Sequence, residues 1–325
     1  MALVEEAPQL RRGGFSVDVF GRLTHGRFTS LRRSDLSATI YQALNDQVET
    51  IFGDSIARVE DAGQCVRVSF DNAAPREADL VIGADGLHSR VRRLAFGPEA
   101  GFEVSLGYHV AAFEVEGYRP RDELVYVSYG VPGKQISRFS MRENKTLFLF
   151  VFRDEYLPVE NISTEQEGKS ALRSVFAGLG WECPEILAAM EKASEIYFDQ
   201  ASQIRMDRWT TGRTALISDA AACVSLLAGE GTGLAMLEAY VLAGELCVCG
   251  GGHCIAVARY QERMMPLLKR KQKSAAKFAS SFAPKSAFGI RFRNIVTRLM
   301  GLPCVTDFFI GRDLRDTVAI PDYGY

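Results

Sequence analysis

The chain has 325 residues, 47% of them hydrophobic and 24% charged, with a formal net charge of −2. That balance excludes disordered, collagenous and coiled-coil chains, and it supplies no global positive field for binding nucleic acid. Neither a secretory leader nor a transmembrane segment is expected, because MALVEEAPQLRRGG lacks a leader's apolar run and every long apolar stretch holds a Gly or a charge.

In chain order, LVEEAP reads as the end of a strand, and Pro8 with Gly13-Gly14 marks a loop. Residues 34–49 space Leu36, Ile40, Leu44 and Val48 four apart behind Ser34, which predicts an amphipathic helix with a serine N-cap. Short strands follow around 57–59 and 65–70. The run ADLVIGAD at 78–85 is continuously apolar at its centre, the pattern of a strand buried on both faces in a parallel sheet. Between 104 and 206, alternating segments such as GYHVAAFEVEG, ELVYVSYGV and TLFLFVFRD predict an antiparallel sheet, interrupted by a helix near SALRSVFAGLGW. After Trp209 come a buried strand TALIS, a glycine-rich loop and the helix LAMLEAYVLAGEL, and the rest reads as helical. Seven scattered cysteines fit reduced thiols and a cytoplasmic location.

Two stretches carry the pattern of a ligand site. In the first, a strand ends in Gly83-Ala84-Asp85-Gly86, and open α/β sheets bind ligands at the carboxyl ends of their strands. Ser89 would cap the next helix, whose amides would attract a phosphate with Arg92 nearby; the plainer alternative is a simple Asp-Gly turn. In the second, Ile217-Ser218-Asp219 precedes Gly229-Glu230-Gly231-Thr232-Gly233-Leu234, which opens a long helix. Glycines let a ligand approach the backbone, the free amides at the helix start favour negative charge, and Asp219 is suited to accept bonds from sugar-like hydroxyls. Two other patterns are weaker. Cys247, Cys249, His253 and Cys254 lack the spacing of a metal knuckle, so no metal is expected, and Gly168-Lys169-Ser170 lacks the upstream glycine of a P-loop. Residues 255–315 hold 13 Lys or Arg against 3 Asp or Glu, a local net of +10; a basic face backed by core aromatics is the plain expectation, and affinity for anionic lipid or a phosphorylated cofactor is the alternative.

Together GADGLHSRVR and ISDAAACVSLLAGEGTGLAMLEA resemble the two downstream flavin-binding signatures of the class A flavoprotein monooxygenases, the p-hydroxybenzoate hydroxylase-like group that includes tetracycline-inactivating enzymes. LVEEAPQLRRGG and RRSDL extend the resemblance over nearly the whole chain. It implies an α/β flavoprotein fold with an incomplete Rossmann-type parallel sheet, an antiparallel substrate subdomain and C-terminal helices. The implied division is 1–103 and 207–325 for the two parts of the FAD-binding subdomain, and 104–206 for the substrate subdomain. Carried over residue by residue, Glu5 would hold the adenosine ribose and Arg33 would reach the ribityl or phosphate portion of FAD. Asp85 and Gly86 would lie by the flavin and the nicotinamide path, and Asp219 would bond the ribityl chain. Gly229 belongs to the loop, and the amides of Gly231, Thr232, Gly233 and Leu234 would lie at the isoalloxazine edge.

Three positions depart from the family pattern: Ser218 stands where Gly is usual, and Ala222 and Ser225 stand where His and Pro are common. The family's opening G-x-G-x-x-G unit is expected to be missing before Glu5, which would expose apolar sheet surface to a second copy or a partner chain. The resemblance implies an FAD-dependent monooxygenase that takes hydride from NADPH or NADH and hydroxylates an aromatic or polyketide-like molecule with O2. No catalytic acid or base is assigned, and Tyr108 and His109 are only polar candidates in the substrate region. A non-catalytic relative that binds FAD weakly or serves as an interaction protein is the alternative, and a reductase or halogenase on the same scaffold is a third.

Overall fold

The computed structural model describes residues 12–16, 33–118, 125–141, 143–158, 162–250, 252–299 and 320–324. Glu5 and the strand expected before Pro8 lie outside them.

The alternating segments between 104 and 206 form one antiparallel sheet. Its strands are β1 (Arg12–Ser16), β6 (Glu103–Glu116), β7 (Val125–Val131), β8 (Lys134–Ser140), β9 (Lys145–Arg153) and β10 (Tyr197–Ile204), in the order β1-β7-β8-β9-β6-β10. Phe148, Phe150 and Phe152 of β9 are spaced by two and all fully buried, so they share one face. They pack on Leu172, Val175 and Phe176 of α3 (Glu165–Phe176) and on Ile186 and Met190 of α4 (Cys183–Met190). Each buried Phe contributes about 2–3 kcal/mol. The single helix expected near SALRSVFAGLGW is two, because Gly178 and Trp181 both take positive φ between them. Thr164 and Glu167 form a capping box at the start of α3. Gly168-Lys169-Ser170 falls inside that helix, with Lys169 buried and its Nζ on Glu165 and Ala193 O.

Gly13-Gly14 is strand rather than loop. An edge position in the sheet gives both residues partners, Gly13 opposite Ser128 and Gly14 opposite Val127, and that pairing overrides the local preference of glycine for turns. The helix expected over 34–49 also differs. α1 runs Arg33–Ala43, so Ser34 lies in its first turn instead of capping it, and none of its residues is buried. It stops because Asn45 and Asp46 adopt φ of 46° and 58°.

The parallel part of the fold is small. β5 (Val81–Gly83) pairs parallel with β12 (Thr214–Leu216), and β11 (Thr210–Thr211) flanks β12. A separate antiparallel sheet holds β2 (Ile56–Asp61), β3 (Val66–Phe70) and β4 (Arg76–Ala78). β12 is buried throughout, but in β5 only Val81 and Gly83 are, and Ile82 is 41% exposed. The expectation of burial on both faces fails there, since no described element covers the face that Ile82 presents. Gly83 is sterically required: a Cβ on it would stand 2.7 Å from Leu216 Cδ2 and 2.8 Å from Val91 Cβ. Gly83→Ala is therefore expected to lower stability by about 1–3 kcal/mol, read as an earlier urea midpoint at unchanged slope.

Short helices α2 (Arg90–Phe96) and α5 (Asp219–Ala222) follow the two parallel strands. The chain then forms α6 (Gly231–Val248), α7 (His253–Phe282) and α8 (Ala287–Leu299). By length and composition α6 could cross a membrane. Here it packs on α7 and buries Glu238 and Glu245, which meet Tyr260 and Arg263 of that helix. Its buried acids are thus satisfied by a neighbouring element, while Met236 and Val248 are exposed.

Candidate functional site

β5 and β12 pair in parallel register, Val81 opposite Thr214 and Gly83 opposite Leu216, so both chains leave the sheet at the same end. The Ile217 N–H donates to Gly83 O at 3.0 Å, extending the pairing one residue further. The segments bearing Asp85 and Asp219 thus emerge together although 134 positions separate them in the chain.

Asp85 is occupied locally. Its Oδ1 accepts the Ser89 hydroxyl at 2.5 Å, and its Oδ2 accepts the N–H groups of Arg90 at 2.7 Å and Val91 at 3.0 Å. Ser89 caps α2 as expected, accepting the Arg92 N–H at 2.9 Å. A phosphate at this helix start is a different matter. The amides expected to draw it already serve Asp85 and Ser89, and Arg92 is fully buried. Its guanidinium donates to Ala220 O (3.0 Å), Leu87 O (2.5 Å) and Glu99 Oε2 (2.8 Å), so it ties α2 to α5 instead of reaching a ligand. Gly86 holds φ at +81°, the left-handed turn that glycine makes without a Cβ penalty. His88 bridges this loop to β10, between Glu99 Oε1 at 2.9 Å and Asp199 Oδ2 at 3.0 Å. Burial opposes its charge, but the two carboxylates outweigh that and raise its pKa.

The second motif is open. Gly229 adopts a left-handed conformation, and Glu230 at the N-cap of α6 makes no side-chain cap, its carboxylate pairing with Lys271 at 2.8 Å instead. The first amides of an α-helix have no partner within the helix, which leaves Gly231, Thr232 and Gly233 with donors to spare. Leu234 does not join them, since its N–H donates to Glu230 O at 3.1 Å. Thr232 and Gly233 are exposed, and a Cβ on Gly229 or Gly233 would meet nothing within 4 Å. Asp219 stands beside this ledge, with its Oδ1 3.9 Å from where a Cβ on Gly231 would lie. Arg33 is exposed at the start of α1, and its charge is felt at Tyr197 of β10. Among the described residues nothing ties it to Asp219 or to the glycine loop.

A buried carboxylate beneath the ledge was not legible as a site residue. Glu238 is 1% exposed, and its Oε2 accepts the Ser218 N–H at 2.9 Å and the Tyr260 hydroxyl at 2.7 Å. Ser218 has φ of 59° and ψ of −143°, a conformation that costs a residue with a Cβ about 1–3 kcal/mol. That strain explains why glycine is the usual choice there, and the bond to Glu238 helps hold the turn that aims Asp219. Burial pushes the Glu238 carboxyl up to about 7 despite its two donors, and the Asp219 charge adds to the rise. The available signal was a lone acid in the middle of the apolar run LAMLEAYVL.

Tyr108 and His109 both have structural partners. Tyr108 is buried with its hydroxyl accepting from Arg153 at 3.0 Å, and His109 stacks on Phe152 with Nδ1 2.9 Å from Asp154. Cys249 accepts from Arg259, and Cys254 contacts His253; among the described residues no group of three His, Cys, Asp or Glu is placed to hold a metal ion.

The fold and this site define a dinucleotide-binding α/β protein with five strands of an antiparallel sheet inserted between its two parallel strands. Residues 45–257 match the family model described as FAD binding domain, and the chain belongs to that family. It is 42% identical over 243 residues to the uncharacterized protein MT1298 of Mycobacterium tuberculosis (strain CDC 1551 / Oshkosh), a match that covers 74% of this chain. It spans 65% of that relative's length. A flavin-dependent monooxygenase from an unknown prokaryotic organism is 30% identical over 325 residues, covering 87% of this chain and 84% of its own. Among solved structures, tetracycline destructase Tet(51) superposes with a TM-score of 0.72 at 30% identity, over 90% of this chain and 74% of that one. The fold is accordingly that of the p-hydroxybenzoate hydroxylase-like FAD monooxygenases.

FAD is the cofactor of this family. The donor set fits its chemistry: spare amides and a helix dipole for negative charge, an acid for hydroxyls, and glycines with open space for a flat ring.

Proposed function

We propose that the chain is an FAD-dependent oxidoreductase that draws on NADPH or NADH and O2 to hydroxylate an aromatic or polyketide-like small molecule. The convergence of Asp219 with the uncapped glycine-rich start of α6, in a chain similar to flavin-dependent monooxygenases, carries this reading. The likeness to a tetracycline destructase supports a polyketide-like substrate. When bound, FAD supplies the redox chemistry that no side chain possesses.

The chain's own residues would bind, orient and shield. Asp219 accepts bonds from the cofactor's hydroxyls, held in place by the Ser218 turn and Glu238 beneath it. The amides of Gly231, Thr232 and Gly233 stabilise negative charge at the cofactor's edge. Asp85 contributes by fixing the Ala84–Gly86 backbone through its own cap bonds. The six-stranded sheet covers the substrate and excludes water, with residues 1–103 and 207–325 as the two parts of the FAD-binding body. β1 is the exception, a segment of the first part that lies in the substrate sheet. The six described cysteines are all free, which supports a cytoplasmic location.

The visible absorption spectrum of the purified chain tests this reading. A yellow protein with stoichiometric FAD is expected, and Asp219→Ala should weaken FAD binding by roughly tenfold or more, the loss of hydrogen bonds to a charged group. Oxygen-dependent NADPH consumption on a panel of phenols and polyketides should follow. A colourless chain that also ignores added FAD would overturn the proposal in favour of a non-catalytic interaction protein.

A further inference from the structure

The geometry of the C-terminal helices points to a docking surface for anionic lipid bilayers, independent of the flavin site. Three observations carry it. The first is charge: between Glu262 and Asp307 the sequence has ten Lys or Arg and no Asp or Glu.

The second is the orientation of α8, which is turned inside out. Its inward face carries Ile290, Asn294 and Arg293, the last donating to Gln135 Oε1 and to Phe282 O. Its outward face carries Phe288, Phe292 and Ile295 at helical spacing, 78%, 62% and 56% exposed. The plain expectation from sequence, that these aromatics back the basic face from within the core, is therefore reversed for Phe288 and Phe292. It is reversed for Phe278 as well, since that ring is 56% exposed.

The third is a cleft of about 650 Å³ beside α7, lined by Arg205, Met206, Lys269, Lys273 and Lys277 among others. Asp207 is the one carboxylate in its lining, and it is paired with Lys269 at 3.0 Å. Lys273 and Lys277 form no ion pair among the described residues. Phe278 follows Lys277 directly, so the exposed aromatics begin where the cleft cations end.

Large rings presented outward beside cations, with the one acid of the cleft lining already paired, suit an interface that is apolar below and anionic above. A second copy suits it poorly. A two-fold contact through this face would set the Lys285 and Arg291 of each copy against the cations of the other. The cleft has room for a lipid headgroup phosphate, which Lys273 and Lys277 would neutralise.

Co-sedimentation of the full chain with phosphatidylcholine vesicles, with and without about a third phosphatidylserine, tests the proposal. Binding is expected only to the phosphatidylserine vesicles, and it should fall as salt rises. The double variants K273E/K277E and F288S/F292S should each lower the vesicle partition by roughly tenfold or more. Because all four side chains are exposed, both variants should keep the parent's thermal midpoint. Equal binding to both vesicle types, no binding at low salt, or variants that partition like the parent would overturn it. So would a dimer that F288S/F292S dissociates in a chain that ignores vesicles.

Discussion

Replacing Arg92 with Leu should cost the chain about 3 kcal/mol of stability and strip it of FAD at concentrations that saturate the parent. The guanidinium is fully buried and donates to two carbonyls, Leu87 O and Ala220 O, and to the Glu99 carboxylate. Leucine fills much of the volume but leaves those three acceptors without a donor, and each orphaned buried group costs about 1–3 kcal/mol. Glu99 retains some access to water, so its share lies at the low end of that range. The effect on FAD has a separate origin. Ala220 follows Asp219 directly, so the Arg92 bond fixes the α5 backbone that carries the acid proposed to bond the ribityl chain. A denaturant midpoint together with an FAD titration separates the two effects. Unaltered FAD affinity in a destabilised variant would confine Arg92 to the fold.

Glu238 should make stability fall as pH rises from about 4.5 to about 7. Its carboxyl is raised from 4.5 to about 7 in the folded chain. Below 4.5 both states hold the proton. Between 4.5 and 7 only the unfolded state releases it, so unfolding becomes progressively easier. The loss levels off above 7 at about 3 kcal/mol. The groups facing this carboxyl are Tyr260 from α7 and, from the turn after β12, the Ser218 amide and the Asp219 carboxylate. Burial is the largest cause and works against the charge, whereas the two hydrogen bonds favour it. Glu238→Gln keeps an acceptor for Ser218 and removes the titration, so its urea midpoint should vary less between pH 5 and 8 than the parent's. An equal pH dependence in parent and variant would move the titration to another group.

Most of the architecture was legible because the residues that specify it are local. Alternation marked every strand between 104 and 206, and a strand end with an acid marked both halves of the site. Failures arose where tertiary partners decide. Gly13-Gly14 looks like a turn until β7 supplies its partners, and Arg92 looks like a phosphate ligand until α5 supplies a carbonyl. Ile82 and the α8 aromatics show the complementary limit: periodicity identifies a face but not what lies against it. Glu238 escaped because an acid in an apolar helix gains meaning only when Ser218 and Tyr260 are seen to converge on it. The Ser218 departure was visible in sequence, yet its cost appears only with its positive φ.

The pairing of β5 with β12 also bears on the order in which this chain can fold. These strands of three residues each are hydrogen-bonded neighbours, yet five of the six strands of the antiparallel sheet lie between them in sequence. Closing a loop of that length carries an entropic penalty that six residues of ladder cannot offset on their own. The inserted sheet must therefore condense first and bring its two ends together, and only then can the parallel pair zip. Asp219 and the glycine ledge would be assembled late, after synthesis has passed α6. In refolding, recovery of flavin binding should then lag behind recovery of β-sheet circular dichroism.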